Sequence, residues 1–332
     1  MKTHRPKLKD VAQVAGVSTA TVSRVLSNPE VVSAETRQAV AAAIKATGYR
    51  MNEAARNLRH QRTGAIVALV PNLANPFFAP IFSGIASVLG PAGYNLLIAD
   101  TQSSDRERLF GYAEPSRADG LIVLDGSVPA EMLSGTVPVV EACEWVAGLD
   151  LPRVKIDNRA AAKLAIEHLA GLGHRRIGYV AGPAENVLNV ARLAGVRESM
   201  AELSLPLDDS AIYPGDFSLD SGKAAAKLWL AQPSETRPTA LFSASDAMAC
   251  GLIAEVQRHG ISVPRDLSVV GFDDIELTAH ISPPLTTVYQ PRAEIGREAA
   301  QRMLRLLAGG SEGQGDSVLD VRLIVRGSTA PI

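Results

Sequence analysis

Apolar residues near the start of the chain recur at helical spacing: Leu8, Val11, Ala12 and Ala15 fall on one face, and Gly16 follows with the freedom to turn at positive φ. Ser18 can cap a second helix whose inward stripe is Val22, Val25 and Leu26, leaving Thr19, Ala20, Ser23, Arg24 and Ser27 on the opposite side. A third helix can start at Ser33, turn Val40, Ala43 and Ile44 inward, and stop at Gly48. Three helices with a tight glycine turn fit a helix-turn-helix, although that spacing alone equally suits a small bundle that binds nothing. Asn52 to Arg59 also favours helix, but it falls short of the roughly 12 to 15 residues at which isolated helices become stable, so it needs a partner.

Beyond Thr63 the period changes. Short β-rich runs at 65–70, 96–100, 121–124, 137–141 and 154–157 alternate with helical stretches and describe one parallel α/β layer set. A second series follows at 177–181, 240–243 and 269–272, with 285–289 leading back and a helix at 293–307. Two Rossmann-like lobes are expected. The last strand, 321–325, comes after a glycine-rich loop at 309–315, so the chain should cross between the lobes more than once and form a hinged cleft.

The chain's 332 residues, 46% hydrophobic and 20% charged, are those of an ordinary globular protein of two domains or slightly more. No apolar run approaches the roughly 18 residues of a membrane span, and the first residues lack a signal-peptide core, so the expected location is the cytoplasm. Cys143 and Cys250 stand far apart and imply neither a disulfide framework nor a zinc finger. The net charge of −2 hides a division: residues 1–63 hold 11 Lys/Arg against 4 acids, a net +7, and the remainder carries −9. A basic, patterned head on an acidic body points to a polyanion partner for the head alone. In the body no G-x-G-x-x-G follows a strand, and there is neither a P-loop lysine nor a G-x-S-x-G elbow. His174, within Gly173-His174-Arg175-Arg176, reads as a helix-to-strand connection, and no His pair has zinc-ligand spacing. No catalytic set, metal or cofactor is expected.

The run from Leu8 to Asn28, continued by Val32-Ser33-Ala34-Glu35-Thr36-Arg37 and Gly48-Tyr49, closely resembles the LacI/GalR repressor headpiece. The resemblance extends through 64–328 on Asn75-Pro76-Phe77-Phe78, Asp157-Asn158, Arg192-Leu193-Ala194-Gly195, Ser245-Asp246-Ala247-Met248, Gly271-Phe272-Asp273-Asp274 and Pro283-Pro284-Leu285-Thr286-Thr287. It therefore implies residues 1–50 as a helix-turn-helix headpiece, 51–62 as a hinge helix and 63–332 as a two-lobed core like the periplasmic binding proteins. Its N-lobe would take 63–158 and 290–321, and its C-lobe 159–289 and 322–332. The stretches 149–158, Gly215-Asp216-Phe217 and 290–299 look nearer to the cytidine-repressor branch, which senses nucleosides.

By that resemblance the second helix enters the major groove of double-stranded operator DNA, with Thr19 and Ala20 at base edges. Both suit contact with thymine methyls, while Arg24 can pair bidentately with guanine. Ser18, Thr21, Asn28, Ser33, Thr36 and Tyr49 would hold phosphates. The short helix that begins at Asn52 would fold when two copies meet in the minor groove, with Leu58 as the wedge. The family's effector cleft would place Phe77, Phe78, Trp145, Arg192, Phe217, Asp246 and Asp273 around a small molecule. Arg192 offers a planar fork and Asp273 an acceptor, both suited to ribose hydroxyls, with the aromatic rings as walls for a base. Plainer roles stay open: Phe77 or Phe78 as core, Trp145 as filling, Asp246 as a helix cap, Asp273 or Asp274 as a loop brace. A sugar or polyol would use the same Arg and Asp. A repressor dimer released from a palindromic operator by an inducer is the expectation, with no membrane partner, and a catabolic enzyme or binding protein carrying a helical head is the remote alternative.

Overall fold

The computed structural model describes residues 6–49, 62–102, 105–135, 137–310 and 315–332. Contacts divide the chain into two compact units, Met1–Arg62 and Thr63–Ile332. The hinge helix expected over 51–62, with Asn52 and Leu58, lies outside the described residues except for Arg62.

The head is built from α1 (Leu8–Ala15), α2 (Thr19–Ser27) and α3 (Ala34–Thr47). Gly16 adopts φ 65°, so its missing Cβ permits the left-handed turn between α1 and α2. The core is Val11, Ala12, Val22, Val40 and Ala43, with Leu8, Ala15, Val25, Leu26, Ile44 and Tyr49 packed around it. These are the stripes that the spacing predicts. So small a core leaves little reserve of hydrophobic stabilisation, and each buried valine matters.

The body runs β1 (Ala65–Val70), α4 (Ala79–Leu89), β2 (Asn95–Asp100), α5 (Arg106–Tyr112), β3 (Gly120–Val123), α6 (Ala130–Leu133), β4 (Val139–Ala142) and β5 (Arg153–Ile156). It continues with α7 (Asn158–Gly171), β6 (Ile177–Val180), α8 (Val187–Glu202), β7 (Ile212–Tyr213), α9 (Leu219–Leu230), β8 (Ala240–Ser243) and α10 (Asp246–Arg258). The last elements are β9 (Ser268–Asp273), β10 (Thr286–Tyr289), α11 (Arg292–Leu307), β11 (Ser317–Leu319) and β12 (Arg322–Ile324).

Two six-stranded sheets result, ordered β11-β5-β4-β3-β1-β2 and β12-β10-β9-β8-β6-β7. Every pairing is parallel except β10 with β12. β1, β3 and β4 are buried throughout, as parallel strands covered on both faces must be. The sequence pattern misses β7 and β11: the first has two residues, the second three partly exposed ones at a sheet edge, too few to display a period. The chain passes between sheets three times, after β5, after β10 and after β11. In the first lobe α11 lies directly on α4. A Cβ on Gly84 would stand 2.1 Å from the Ala293 carbonyl oxygen, and one on Gly296 2.1 Å from that of Ile81. The two glycines let the helix backbones touch, so these helices move as one piece. Among the described residues no helix is long and apolar enough to cross a membrane.

Candidate functional site

In the head, Ser18 caps α2 by accepting a hydrogen bond from the Thr21 backbone N–H at 3.0 Å, which leaves Thr19 and Ala20 exposed on the first turn and Arg24 exposed one turn on. α2 has no acidic residue in its first turn, so nothing there repels an anion. Ser33 caps α3 in the same way, accepting from Thr36 N–H at 3.3 Å. The Ser18 and Thr21 hydroxyls are 2.9 Å apart, and the Ser33 hydroxyl donates to Thr36 at 2.9 Å. Each pair thus spends one hydroxyl hydrogen internally and keeps one to give outward. Asn28 is exposed at the end of α2, and Tyr49 is half-buried against the core. Ser18, Thr19, Ala20 and Arg24 therefore share the start of one exposed helix, a surface of short hydroxyls, a methyl and a guanidinium.

In the body Arg192, Asp246 and Asp273 come together at the C-terminal ends of β8 and β9. Arg192, on α8, is 2% exposed. Its Nε donates to Asn158 Oδ1 at 2.9 Å, one amino group donates to the Ala244 carbonyl at 2.6 Å, and its central carbon lies 3.7 Å from the centre of the Phe272 ring. Two of its five N–H groups are held by these bonds and three remain. Burial pulls the guanidinium pKa down, while Asp273 pulls it back up. Asp273 ends β9 at 7% exposure with a positive φ of 121°. It accepts from Gln290 Nε2 at 2.7 Å and from the Asp246 backbone N–H. Burial pushes its carboxyl up to about 6, against the opposing pull of Arg192 and Arg292.

Asp246 is fully buried. The cap of α10 is Ser245, which accepts from Met248 N–H at 3.3 Å. Asp246 instead braces the site: one carboxyl oxygen accepts from the Thr287 hydroxyl at 2.6 Å, the other from Ile275 N–H at 2.9 Å. Its carboxyl is raised well above the ordinary range by burial first and by Asp273 second. Phe78 is buried in the core, edge-on to Phe77 at 5.1 Å and stacked on Phe82 at 6.2 Å. Phe77 is also largely buried. Phe217 is half-buried, with φ 67°, and its ring occupies the space a side chain on Gly182 would need. Trp145 lies under Lys155, whose Nζ is 5.4 Å from the ring centre, and lines a cavity of about 570 Å³ with Asn158 and Val187. Arg192 and Asp273 fall outside that lining.

Several residues of the cleft escape the sequence reading as site members. Asn158 and Gln290 hold Arg192 and Asp273 in place, and Arg292 acts on Asp273 from α11. Buried acids come from the other sheet. Asp125 accepts from the Thr101 hydroxyl and from Ser127 N–H; Glu144 accepts from Gly126 N–H at 2.9 Å and bonds Asn186, and burial raises its carboxyl. The Asp157-Asn158 pair after β5 and the polar Gln290 and Arg292 after β10 are the local signals that mark three of these positions. Burial raises the Cys143 thiol, which keeps it protonated and a poor nucleophile. Among the described residues no cluster of His, Cys, Asp and Glu is arranged to hold a metal. The arrangement of buried donors and acceptors can grip a polar molecule.

Comparison with known proteins agrees. The sequence profile of bacterial regulatory proteins of the lacI family matches residues 7–52, and that of the periplasmic binding protein-like domain matches residues 166–329. The chain is 40% identical over 328 residues to the HTH-type transcriptional repressor CytR of Escherichia coli (strain K12), spanning 97% of this chain and 96% of the relative. It is 36% identical to the HTH-type transcriptional regulator CelR of Thermobifida fusca, spanning 98% of both. Among solved structures it matches the lac repressor dimer bound to operator and the anti-inducer ONPF with a TM-score of 0.86 at 30% identity, covering 98% and 99% of the two chains. It matches the transcriptional regulator CelR–cellobiose complex with a TM-score of 0.74 at 35% identity, covering 98% and 100%. With its helix-turn-helix head and two-lobed ligand-binding body, the chain belongs to the lacI family of bacterial regulatory proteins and is a ligand-responsive transcriptional regulator, not an enzyme.

Proposed function

We propose that the protein is a cytoplasmic repressor that binds a palindromic operator as a homodimer and is released when a nucleoside enters the cleft. Thr19, Ala20 and Arg24 read bases; Ser18, Thr21, Asn28, Ser33, Thr36 and Tyr49 hold phosphates; Leu58, in a hinge segment over 51–62 that includes Asn52, wedges the operator centre. Arg192 donates to the ribose diol and Asp273 accepts from it, with Asp246 bracing them and Phe77, Phe217 and Trp145 near the base. The observation that carries this reading is the pairing of a buried guanidinium and a buried carboxyl at strand ends, each with hydrogen-bonding capacity left over. Effector binding turns the lobes and separates the two hinge segments; a coupling of about 1–3 kcal/mol gives roughly 5- to 150-fold regulation.

A sugar is the second reading. It is favoured by the burial of Phe77 and Phe78, which leaves less aromatic surface for a base. The matched CelR structure is a cellobiose complex. Thermal-shift screening separates the two, since a ligand at 100 times its Kd adds about 2.7 kcal/mol of stability. Stabilisation by a nucleoside, with loss of operator binding at the same concentration, is the expected result. Stabilisation by sugars alone overturns the nucleoside reading, and failure to bind duplex DNA at low salt overturns the regulator mechanism.

A further inference from the structure

We infer that Arg292 determines effector specificity, tying the two lobes with its amino groups while its Nε donates to a carbonyl oxygen or ring nitrogen on the base of a nucleoside. The inference rests on the nucleoside reading above. Arg292 opens α11, which the touching backbones at Gly84 and Gly296 fix to α4, so it moves with the first lobe. From there one amino group donates to the Asp274 carbonyl, in the loop after β9 of the second lobe, at 2.8 Å. The other reaches back to the Phe77 carbonyl of the first lobe at a long 3.5 Å. The third nitrogen, Nε, is buried and its N–H has no acceptor; among the described residues it is the one buried side-chain nitrogen or oxygen in that condition.

A side chain that only tied the lobes would have no use for a buried, unpaired Nε–H, because leaving such a group unpaired is costly. The neighbourhood says what should meet it. Arg292, like Arg192, stands close enough to Asp273 to pull its carboxyl down. Its central carbon is 5.9 Å from the middle of the Phe77 ring, which puts an apolar face beside the donor. A guanidinium only donates, so the ligand atom must be an acceptor. Arg192 and Asp273 already match the donor-and-acceptor character of ribose hydroxyls. An acceptor next to an aromatic face is the edge of a base.

The test measures affinities of the full chain by calorimetry for cytidine, uridine and adenosine, and for a phenyl C-riboside that keeps the ribose and a flat ring but has no base acceptor. The unmodified chain should prefer its best nucleoside over the phenyl compound by about ten- to a hundredfold. In Arg292→Met that preference should fall to within about threefold through loss of nucleoside affinity, with circular dichroism melting to verify the fold. Arg292→Lys keeps the cation but not the planar guanidinium fork with its Nε–H, and should lose at least about half of the preference on a logarithmic scale. An unchanged preference in both variants, or equal losses for nucleoside and phenyl riboside, overturns the inference while sparing the nucleoside reading. If the unmodified chain binds none of the nucleosides, that reading fails first and this inference falls with it.

Discussion

The head and the cleft solve recognition in opposite ways. In the head the core is five small aliphatic residues, and the side chains proposed to read bases, Thr19, Ala20 and Arg24, stand in solvent. In the cleft the side chains proposed to hold the effector are themselves buried: Arg192 and Asp273 are 2% and 7% exposed, and their protein partners are Asn158, Gln290 and main-chain groups. An exposed face leaves desolvation to the moment of docking and gains strength from many phosphate contacts at once. A buried site has stripped its charges of water during folding, so a few hydrogen bonds to a small ligand act at low dielectric and in fixed geometry. The contrast teaches why one chain separates the tasks: duplex DNA is large enough to be read on a surface, and a metabolite is not.

The strongest test of that contrast places a charge in the head's core. Val22→Asp should abolish operator binding in fluorescence anisotropy, because an unpaired buried carboxylate costs more than so small a core can supply. The body should keep its calorimetric transition and its effector heat; loss of that transition would mean that the two regions do not fold separately. Next in size, Arg192→Ala should weaken effector binding by about 2–5 kcal/mol, since Asp273 then stays buried with only Arg292 left to oppose its burial, and the operator complex should stop responding to effector. A surviving response would move the effector elsewhere. Arg24→Ala should cost about 1–3 kcal/mol of discrimination against a mutated operator while leaving salt-sensitive non-specific binding in place. Loss of both kinds of binding to the same degree would make Arg24 a phosphate contact.

The mildest test is pH. Burial raises the Asp273 carboxyl from 3.8 to about 6, so the acceptor form dominates above pH 6 and is lost below it. Effector affinity measured by calorimetry should therefore hold from pH 8 to 7 and drop about tenfold by pH 5. Because the folded-state value lies above the ordinary one, protonation between these values favours the folded body, and this carboxyl's contribution to stability rises as affinity falls. Asp273→Asn should remove most of the pH dependence of binding; a variant that retains it would place the titrating group elsewhere.

What the sequence reveals follows the reach of each interaction. Gly16, the Ser18 cap and the Val22 and Val40 stripe act within a turn or two, and periodicity exposes them. The buried strands β1, β3 and β4 are legible as apolar runs, whereas β7 and β11 are recognisable only through partners elsewhere in the chain. Arg192 and Asp273 are chemically conspicuous, but Asn158 gains meaning only when it meets Arg192 across 34 positions, and Gln290 when it meets Asp273 across 17. Asp246 illustrates the limit best. Its position suggests a helix cap or a ligand contact, yet Ser245 takes the cap, and both Asp246 carboxyl oxygens are held by Thr287 and Ile275. Phe78, similarly, looks like a pocket wall and packs as core.

The three passages of the chain between sheets also bear on how such a molecule can be rebuilt. A single splice after β5 would hand the first half a sheet without β11 and without the helix that covers it, and would leave those pieces stranded in the second half. Neither lobe is a contiguous cassette, so new effector preferences in this architecture must come from point changes or from exchanging the whole body, while the head, contiguous in sequence, can be grafted in one cut.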